Sequence, residues 1–399
     1  MSEEIVIVSA KRTAIGGFNG TLSGFTGRDL ASFVIKAILK DVDEKTNHNF
    51  KSEMIDYAKF GSCMERCDQL NVGRVACLDA GLPNTVCAST INQVCTSAMQ
   101  ALIDSVFLLR GNSDMNIILV GGVESMSNTT FQVFEARRGC GYGNRTFVDS
   151  LNLGLHAGGK IIMGLTAENL AEKYKITREE QDEVALRSHN NAEKATKEGL
   201  FKNEIVPISI PQRKKDPIIF DKDEHFRPGL TMEQLERLRP AFKKDGTVTA
   251  GNASGINDGA AAVLLMKKSK AEELNLKPLG TFVNWGIGGC DPDYMGESPV
   301  PAVKQVLNRT KMSLSDIEII ELNEAFAAQY LACEKQLLLN RDTTNVVGSG
   351  IGLGHPVGCT GIRLIVTLLH QMERRNLKFG MATLCGGGGI GTATIWEKK

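Results

Sequence analysis

Two stretches of the chain, 264 residues apart, repeat one pattern of a cysteine, a long apolar helix and a strand. The first copy opens at Cys95 and its strand, 117–122, reads IILVGG; the second opens at Cys359 and its strand, 381–386, reads MATLCG. The spacing is constant, so the two copies align without a gap. Repetition at a fixed spacing predicts two similar α/β halves packed together, with a site between them. A chance likeness between two buried helix–strand units is the alternative.

Elsewhere in the first part of the chain, short β-branched runs alternate with helical stretches. Strands are predicted at 5–9, 55–60, 90–94 and 117–120, and helices at 29–39, 70–80 and 96–109. Such alternation predicts an α/β fold whose parallel or mixed sheet is covered by helices on both faces.

The central region has a different character. It carries prolines, basic runs and a charged amphipathic helix at 177–197 that opens with a capping box. We interpret it as an inserted loop domain on the surface. The predicted division is therefore a first half (1–121 with 250–275), the inserted loop domain (122–249) and a second half (276–399).

Composition excludes several classes of protein. The 46 basic and 46 acidic residues among 399 leave no net charge, which argues against a nucleic-acid scaffold because such a scaffold needs a broad cationic field. No apolar run approaches the ~18 residues that a membrane span needs, and the acidic start is unlike a signal or transit peptide. We therefore expect a cytoplasmic protein with no membrane partner. Ten cysteines do not make a disulfide framework in so long a chain, and Cys63 and Cys67 have no nearby His, so no metal site is predicted.

The segment 346–391 concentrates glycine around one histidine and one cysteine. His355 lies on a Gly-His-Pro loop before the second apolar helix, and Cys385 follows a strand and precedes four glycines. Glycine persists where the backbone approaches something closely, so both side chains are candidate reacting groups. Glycine-rich turns in ordinary α/β packing are the alternative.

Cys95 stands where a strand runs into a buried helix, a place that favours an anion. A contribution of ~1–2 kcal/mol lowers a thiol pKa by only about one unit, so a neighbouring base is needed. His355 is the candidate base, because the repeat brings the two helix starts face to face. A buried cysteine that serves only in packing is the alternative. The other histidines lie in polar or helical settings without comparable surroundings: His48, His156, His189, His225 and His370.

Motifs along the whole chain resemble those of the thiolase family, the acetyl-CoA C-acyltransferases. They are IVIVSAKRT at 5–13, NQVC at 92–95, GGVESMS at 121–127, MGLTAE at 163–168, GNASGINDG at 251–259, NEAFA at 323–327, GHP at 354–356 and CGGG at 385–388. Each motif is weak alone, but the set in this order is specific. The resemblance implies a thiolase-like fold, with two pseudo-repeated α/β halves in a layered αβαβα arrangement and an inserted loop domain.

The resemblance also implies residue roles. Cys95 attacks an acyl thioester and becomes acylated, while His355 takes its proton and, with a water held by Asn323, polarises a thioester oxygen. Cys385 removes the α-proton of a second acetyl-CoA, and the backbone N–H groups of Cys95 and Gly387 form the other oxyanion hole. Enolate formation needs such oriented donors, each worth roughly 3–4 kcal/mol, and separate nucleophile and base predict ping-pong kinetics.

The implied reaction is the reversible Claisen condensation of two acetyl-CoA to acetoacetyl-CoA and CoA. Coenzyme A thioesters are then substrates, no cofactor is implied, and the family's usual assembly is a homodimer or homotetramer. The implied substrate-binding residues are Ser254, Met163, Ala325 and Phe326 along the pantetheine tunnel, Arg227 at the nucleotide end, and Ala250 and Ala253.

Three departures from the family pattern leave the chain-length preference open. Thr96 stands where the family prefers Gly or Ala and is a candidate for narrowing the acyl pocket; residues 349–352 read SGIG; and Ile162 stands where short-chain members carry His. A degradative 3-ketoacyl-CoA thiolase for longer chains is therefore the alternative function. A decarboxylating ketoacyl synthase would need another partner in place of Cys385, and an acyl-CoA carrier would not need two thiols around one imidazole. A nicotinamide enzyme would need a Gly-x-Gly-x-x-Gly turn that opens a helix and has an acidic residue ~20 positions further on, and no turn in this sequence has both features.

Overall fold

A computed structural model describes residues 3–157, 160–213 and 215–399 of the protein. Its strands are β1 (Ile5–Thr13), β2 (Gly16–Gly17), β3 (Tyr57–Gly61), β4 (Cys87–Ile91), β5 (Ile117–Ser125), β6 (Phe131–Gln132), β7 (Val148–Asp149), β8 (His156–Ala157), β9 (Ile161–Ile162), β10 (Ile205–Val206), β11 (Ile208–Gln212), β12 (Lys215–Phe220), β13 (Asn257–Lys267), β14 (Gly280–Gly289), β15 (Ile319–Leu322), β16 (Phe379–Gly386) and β17 (Ile390–Glu397). Its helices are α1 (Gly27–Lys45), α2 (Val72–Asp79), α3 (Ser97–Gly111), α4 (Ser150–Gly154), α5 (Met163–Tyr174), α6 (Arg178–Lys197), α7 (Met232–Glu236), α8 (Lys268–Glu273), α9 (Pro299–Thr310), α10 (Ala327–Leu337), α11 (Gly350–Leu353) and α12 (Thr360–Arg375).

The strands of the two halves pair in the same way. In the first half β3 is parallel to β5, β5 is antiparallel to β13, and β13 is antiparallel to β1. In the second half β15 is parallel to β16, β16 is antiparallel to β17, and β17 is antiparallel to β14. The halves join where β1 pairs with β14, at Val6 opposite Thr281 and Ile7 opposite Gly280. This matching strand order confirms the pair of α/β halves that the sequence repeat predicted.

Helices lie in three layers around these strands. Helix α1 packs on β1, β13 and β5 at one outer face, and α9 packs on β14 and β17 at the other. Helices α3 and α12, the two copies of the repeated apolar helix, pack against each other in the middle layer. Their buried faces form one core with the strands of both halves, so both helix starts point to the same region.

One predicted strand ends earlier than its sequence suggested. The run 90–94 reads as a strand, yet β4 stops at Ile91 and the chain then turns, with Val94 in the left-handed region at φ +52°. β-branched residues rarely adopt this conformation, so their sequence signal favours a strand. This turn leads directly into Cys95, whose surroundings are described in the next subsection.

The inserted region supplies hairpins and helices beside the two halves. Helix α6 opens with the predicted capping box, in which Thr177 and Glu180 bond each other's backbone N–H groups.

Among the helices of the described residues, none is long and apolar enough to cross a membrane. Within the same residues, no group of three or more His, Cys, Asp or Glu side chains is placed to hold a metal ion.

Candidate active site

Cys95 sits on a strained turn between β4 and α3. Val94, just before it, has φ +52°, a conformation that costs a β-branched residue on the order of 1–3 kcal/mol. Hydrogen bonds hold the turn: Ser97 Oγ donates to the Val94 carbonyl at 2.5 Å, and Gln93 N donates to Ser97 Oγ at 2.8 Å. The structure thus fixes the thiol at the start of the middle-layer helix.

The environment of Cys95 keeps its thiol protonated. Burial raises the pKa of Cys95 to about 11, outweighing the N–H groups of Gly387 and of Cys95 itself, which lower it; the Glu124 carboxylate raises it further. The N–H groups at the helix start lower this pKa as expected, but removal from water outweighs them and the net shift is upward. A base is therefore required before the sulfur can attack.

His355 is held in a defined orientation. Its backbone N–H donates to Asn257 Oδ1 at 2.9 Å, and its Nδ1 lies 2.6 Å from Thr360 Oγ1. The Thr360 hydroxyl donates to the Pro356 carbonyl at 2.9 Å, so we assign the ring proton to Nδ1, which donates to that hydroxyl. Nε2 is then an acceptor, in agreement with the Asn323 Nδ2 donor that faces it at 3.4 Å.

The imidazole is neutral in this setting. His355 is 5% exposed, and burial, with a further contribution from the Arg363 cation, lowers its pKa to about 3. A neutral ring with Nε2 unprotonated has the form required of a general base.

Asn323 and Cys385 lie side by side at the ends of two paired strands. Asn323 follows β15 and donates its backbone N–H to the Thr383 carbonyl of β16 at 3.0 Å. Its side chain is fully buried, and within the described residues Oδ1 has no hydrogen-bond partner. Cys385 is also fully buried, and burial followed by the nearby Cys95 raises its pKa well above the usual value. The structure thus places the second sulfur beside the first.

The glycines after Cys385 pack against the Cys95 turn. A Cβ built on Gly386 would lie 3.2 Å from Thr96 Cγ2, and one on Gly387 would lie 3.2 Å from Val94 Cγ1 and 3.6 Å from Met163 Sδ. The Gly387 N–H points toward the Cys95 sulfur. Backbone from the two halves therefore meets at the nucleophile.

Thr96 faces this junction. Its side chain is fully buried, with the methyl group against Gly386 and the hydroxyl bonded to the Gln93 carbonyl at 2.7 Å.

The residues expected to bind the substrate form two groups. Ser254 donates its backbone N–H to the Ala325 carbonyl at 2.9 Å, and Ala253 bridges to Phe326, so these four residues lie together. The Phe326 ring packs edge-on against Phe242 at 6.2 Å. Met163 begins α5 beside Gly387, as described above.

Arg227 belongs to the second group. It lines a surface cavity of about 620 Å³ together with Gln234, Leu235 and Gly251, and the exposed Ala250 is adjacent in the chain to Gly251. The lining also includes the carboxylate residue Glu224, so Arg227 is the one lysine or arginine among the lining residues and is balanced by one acidic residue.

The sequence predicts no role for Glu124 beyond its place in the motif GGVESMS. The structure buries its carboxylate, which accepts backbone N–H groups of Cys63 (2.9 Å), Met64 (2.9 Å) and Gly358 (2.8 Å), and the Ser62 hydroxyl at 3.3 Å. Burial raises the pKa of Glu124 to about 7 despite these donors. Glu124 therefore ties a loop of the first half to the loop that carries His355.

His189 and His225 lie closer to the site than their polar and helical settings in the sequence indicated. His189 is 4% exposed, its ring stacks on that of His225 with centroids 6.3 Å apart, and His225 Nδ1 lies 3.2 Å from Asn257 Nδ2. Asn257 also binds the His355 backbone, so His225 is linked to the site. Its partner is 32 residues away in the chain, and no local pattern marks the pair.

Comparison with known proteins shows what the whole chain is similar to. Residues 5–269 match the thiolase N-terminal domain and residues 276–398 match the thiolase C-terminal domain. The acetyl-CoA acetyltransferase of Chromobacterium violaceum is 46% identical over 398 residues, covering 99% of this chain and 100% of the relative. The crystal structure of Bacillus anthracis acetyl-CoA acetyltransferase has a TM-score of 0.95 and 45% identity, covering 99% of both chains. Human mitochondrial 3-ketoacyl-CoA thiolase in complex with CoA has a TM-score of 0.94 and 39% identity, covering 100% of this chain and 98% of that one.

Proposed function

The chain belongs to the thiolase family, and from this premise we propose that it is an acetyl-CoA C-acetyltransferase, catalysing the reversible condensation of two acetyl-CoA to acetoacetyl-CoA and CoA. The names of the Chromobacterium and Bacillus relatives support this activity. The observation that carries it is the meeting of two thiols, one from each half. The loop that carries the neutral His355 imidazole reaches the same place, because Val357 of that loop belongs to one apolar cluster with Cys95.

The first half-reaction acylates Cys95. His355 Nε2 takes the thiol proton as the sulfur attacks the thioester carbonyl of the first acetyl-CoA. The carbonyl oxygen becomes an oxyanion, and the N–H groups of Cys95 and Gly387, which already point at the sulfur, donate to it. The tetrahedral intermediate collapses to the acyl-enzyme, and His355 returns the proton to the departing CoA thiolate.

Acylation prepares the second half-reaction. Once the acyl group is in place Cys95 can no longer ionise, so Cys385 does not compete with a second ionisable thiol beside it. Cys385 gives its own proton to His355, which is neutral again once CoA has left, and the resulting thiolate removes the α-proton of the second acetyl-CoA. The enolate oxygen is stabilised by His355 and a water on the Asn323 side chain, whose buried Oδ1 has no partner among the described residues.

Carbon–carbon bond formation completes the cycle. The enolate carbon attacks the acyl carbonyl, Cys95 leaves as thiolate, and the proton held by His355 passes to it, which restores both thiols and the neutral imidazole. Acetoacetyl-CoA departs along the path between Ser254 and Phe326, with its nucleotide end toward Arg227.

Cleavage of longer 3-ketoacyl-CoAs is the second candidate. Ile162 in place of the short-chain histidine and the likeness to human 3-ketoacyl-CoA thiolase favour it. Thiolysis rates measured over a series of 3-ketoacyl-CoA chain lengths separate the two: a maximum at four carbons supports the first function, and a maximum at longer chains supports the second.

Loading with labelled acetyl-CoA tests the residue roles. Cys95→Ala should abolish acyl-enzyme formation, whereas Cys385→Ala should still acylate but lose condensation. Mass spectrometry locates the label. A label on another residue in the Cys95→Ala protein would overturn the assignment.

We also propose a cytoplasmic homodimer or homotetramer that serves lipid metabolism. All ten cysteines are free, in keeping with a reducing compartment. Strand β4 lies at an edge of the large sheet with none of its residues buried, so a second copy has an edge to pair with. Light scattering after size exclusion measures the assembly, and a monomer at micromolar concentration would contradict it.

A further inference from the structure

The segment 223–227, which we name the strap, joins the inserted region to the body of the protein. The fully buried Arg12 guanidinium donates two hydrogen bonds to Asp223, at 2.7 and 2.9 Å. The next residue, Glu224, accepts the backbone N–H of Gly17 at 2.6 Å. At the other end the Arg227 N–H donates to His189 Nδ1 at 3.3 Å. The strap is therefore held along its length.

Between these anchors, His225 enters a slot under the segment that follows Ser254. A Cβ built on Gly255 would collide with His225 Cε1 and lie 2.9 Å from His225 Nδ1, so the absence of a side chain there admits the ring. His225 Nδ1 accepts a hydrogen bond from Asn257 Nδ2 at 3.2 Å, and the Ile351 carbonyl also faces the ring. With Nδ1 accepting, the ring proton is on Nε2.

Asn257 carries this contact to the His355 loop, residues 354–359. Its Nδ2 donates to the Gly16 carbonyl at 3.0 Å as well as to His225, so its Oδ1 must point the other way, where it accepts the His355 N–H at 2.9 Å. The loop rests directly on the amide: Gly354 has φ +104°, and a Cβ there would lie 2.8 Å from Asn257 Cγ. The orientation of one carboxamide thus sets where the loop lies.

We propose that His225 is a positioning residue for His355: by accepting from Asn257 Nδ2, it holds the carboxamide in the orientation that binds the His355 backbone N–H. Because Arg227 is two residues further along the strap and lines the cavity at the nucleotide end, the strap also links that cavity to the base. The inference rests on the proposed function, in which His355 moves the proton of Cys95.

The surroundings of His225 keep it neutral, as this role requires. Burial lowers the pKa of His225 to about 4; the Arg227 cation acts in the same direction, while Asp223 and Glu224 act against it. His189, stacked on the ring, also has a pKa lowered to about 4, mainly by burial. If His225 were protonated, its Nδ1–H would face the Asn257 Nδ2 donor, and the hydrogen bond between the two side chains would be lost.

Three variants of His225 distinguish the effect of the acceptor's position from the effect of the side chain's size. His225→Asn retains an acceptor near the place of Nδ1, His225→Gln carries its amide near the place of Nε2, and His225→Leu has neither. We expect kcat for thiolysis of acetoacetyl-CoA to fall about tenfold in the Leu and Gln variants, since small misplacements of a base cost one to two orders of magnitude. The Asn variant should recover to within about threefold of wild type, because its acceptor again orients Asn257.

One matched histidine substitution serves as a control. His370→Leu removes a half-buried histidine whose Nε2 donates to the Ala10 carbonyl at 3.0 Å, away from the site, and should alter neither kcat nor KM.

The outcomes are distinguishable. Equal kcat in the Asn and Gln variants, or a His225→Leu protein that changes KM alone, would overturn the positioning role. Both polar variants are compared by circular dichroism first, so a folding defect does not count as support. If the wild type itself shows no thiolysis, the proposed function fails instead.

Discussion

Gly387 and Gly388 are adjacent in the chain, yet we expect their replacement by alanine to have opposite consequences. A Cβ on Gly387 would lie 3.2 Å from Val94 Cγ1, closer than most such contacts, so one of the two must move. Val94 is fixed in its strained turn, at φ +52°, by the hydrogen bonds of Ser97. The displacement therefore falls on the Gly387 backbone and moves its N–H away from the Cys95 sulfur.

The cost to catalysis follows from the role of that N–H. Removing one oxyanion-hole donor typically lowers kcat by about 10²–10³, and a donor displaced by a few tenths of an ångström loses part of this. We expect Gly387→Ala to reduce kcat by roughly ten- to a hundredfold. Its φ is not positive, so alanine adds no left-handed strain, and the melting temperature should change little.

Gly388 is the matched control. Its φ is +85° and a Cβ there would meet no atom within 4 Å, so Gly388→Ala adds strain without a clash. A left-handed alanine costs about 1–2 kcal/mol, which lowers the melting temperature of a chain of this length by about 1–2 °C. Activity should stay within about threefold of wild type.

Thiolysis of acetoacetyl-CoA and thermal unfolding, measured on both variants, test the pair. The reasoning would be refuted if Gly387→Ala kept full kcat, or if Gly388→Ala lost more activity than its neighbour.

Three further predictions concern single groups in the site. Glu124→Gln places an amide NH₂ against backbone donors and should lower stability by about 1–3 kcal/mol near neutral pH. Because the folded pKa of Glu124 is about 7, above the unfolded value of 4.5, its favourable contribution is present below pH 4.5 and is lost as pH rises through 7; the advantage of wild type over the variant in urea unfolding should therefore shrink over that window. Thr360→Val removes the partner of His355 Nδ1 and should lower kcat about ten- to a hundredfold, while Thr360→Ser should restore it; equal activity of the two would contradict the assigned tautomer. With a Cys95 pKa of about 11, inactivation by iodoacetamide should accelerate steadily from about pH 6 to about pH 9, and a plateau near neutral pH would show a preformed thiolate.

The sequence predicted those parts of the site that repeat or depend on glycine. The constant spacing of the two copies predicted the paired halves, and the segment around His355 and Cys385 predicted which side chains meet. Both signals can be recognised from the sequence alone, because one is a fixed spacing and the other is a short continuous segment. The fold class followed from the alternation and the repeat, the family followed from the motifs along the chain, and both are confirmed.

Properties that arise only from packing were not predictable in this way. Val94 reads as part of a strand, because nothing local shows that Ser97 holds it in a left-handed turn. The direction of the Cys95 pKa shift depends on burial, which outweighs the helix start. His225 acquires its role from Asn257, a residue brought to it by the strap. In each case the deciding contact is tertiary.

These packing effects determine how the first chemical step proceeds. In the resting site burial raises the Cys95 pKa to about 11 and lowers the His355 pKa to about 3, so a separate thiolate and imidazolium are disfavoured before attack. Proton transfer therefore accompanies attack on the thioester, when negative charge passes from sulfur to the carbonyl oxygen facing the Cys95 and Gly387 N–H groups. The exact placement of His355, rather than a low thiol pKa, is what the turn, the carboxamide and the strap maintain.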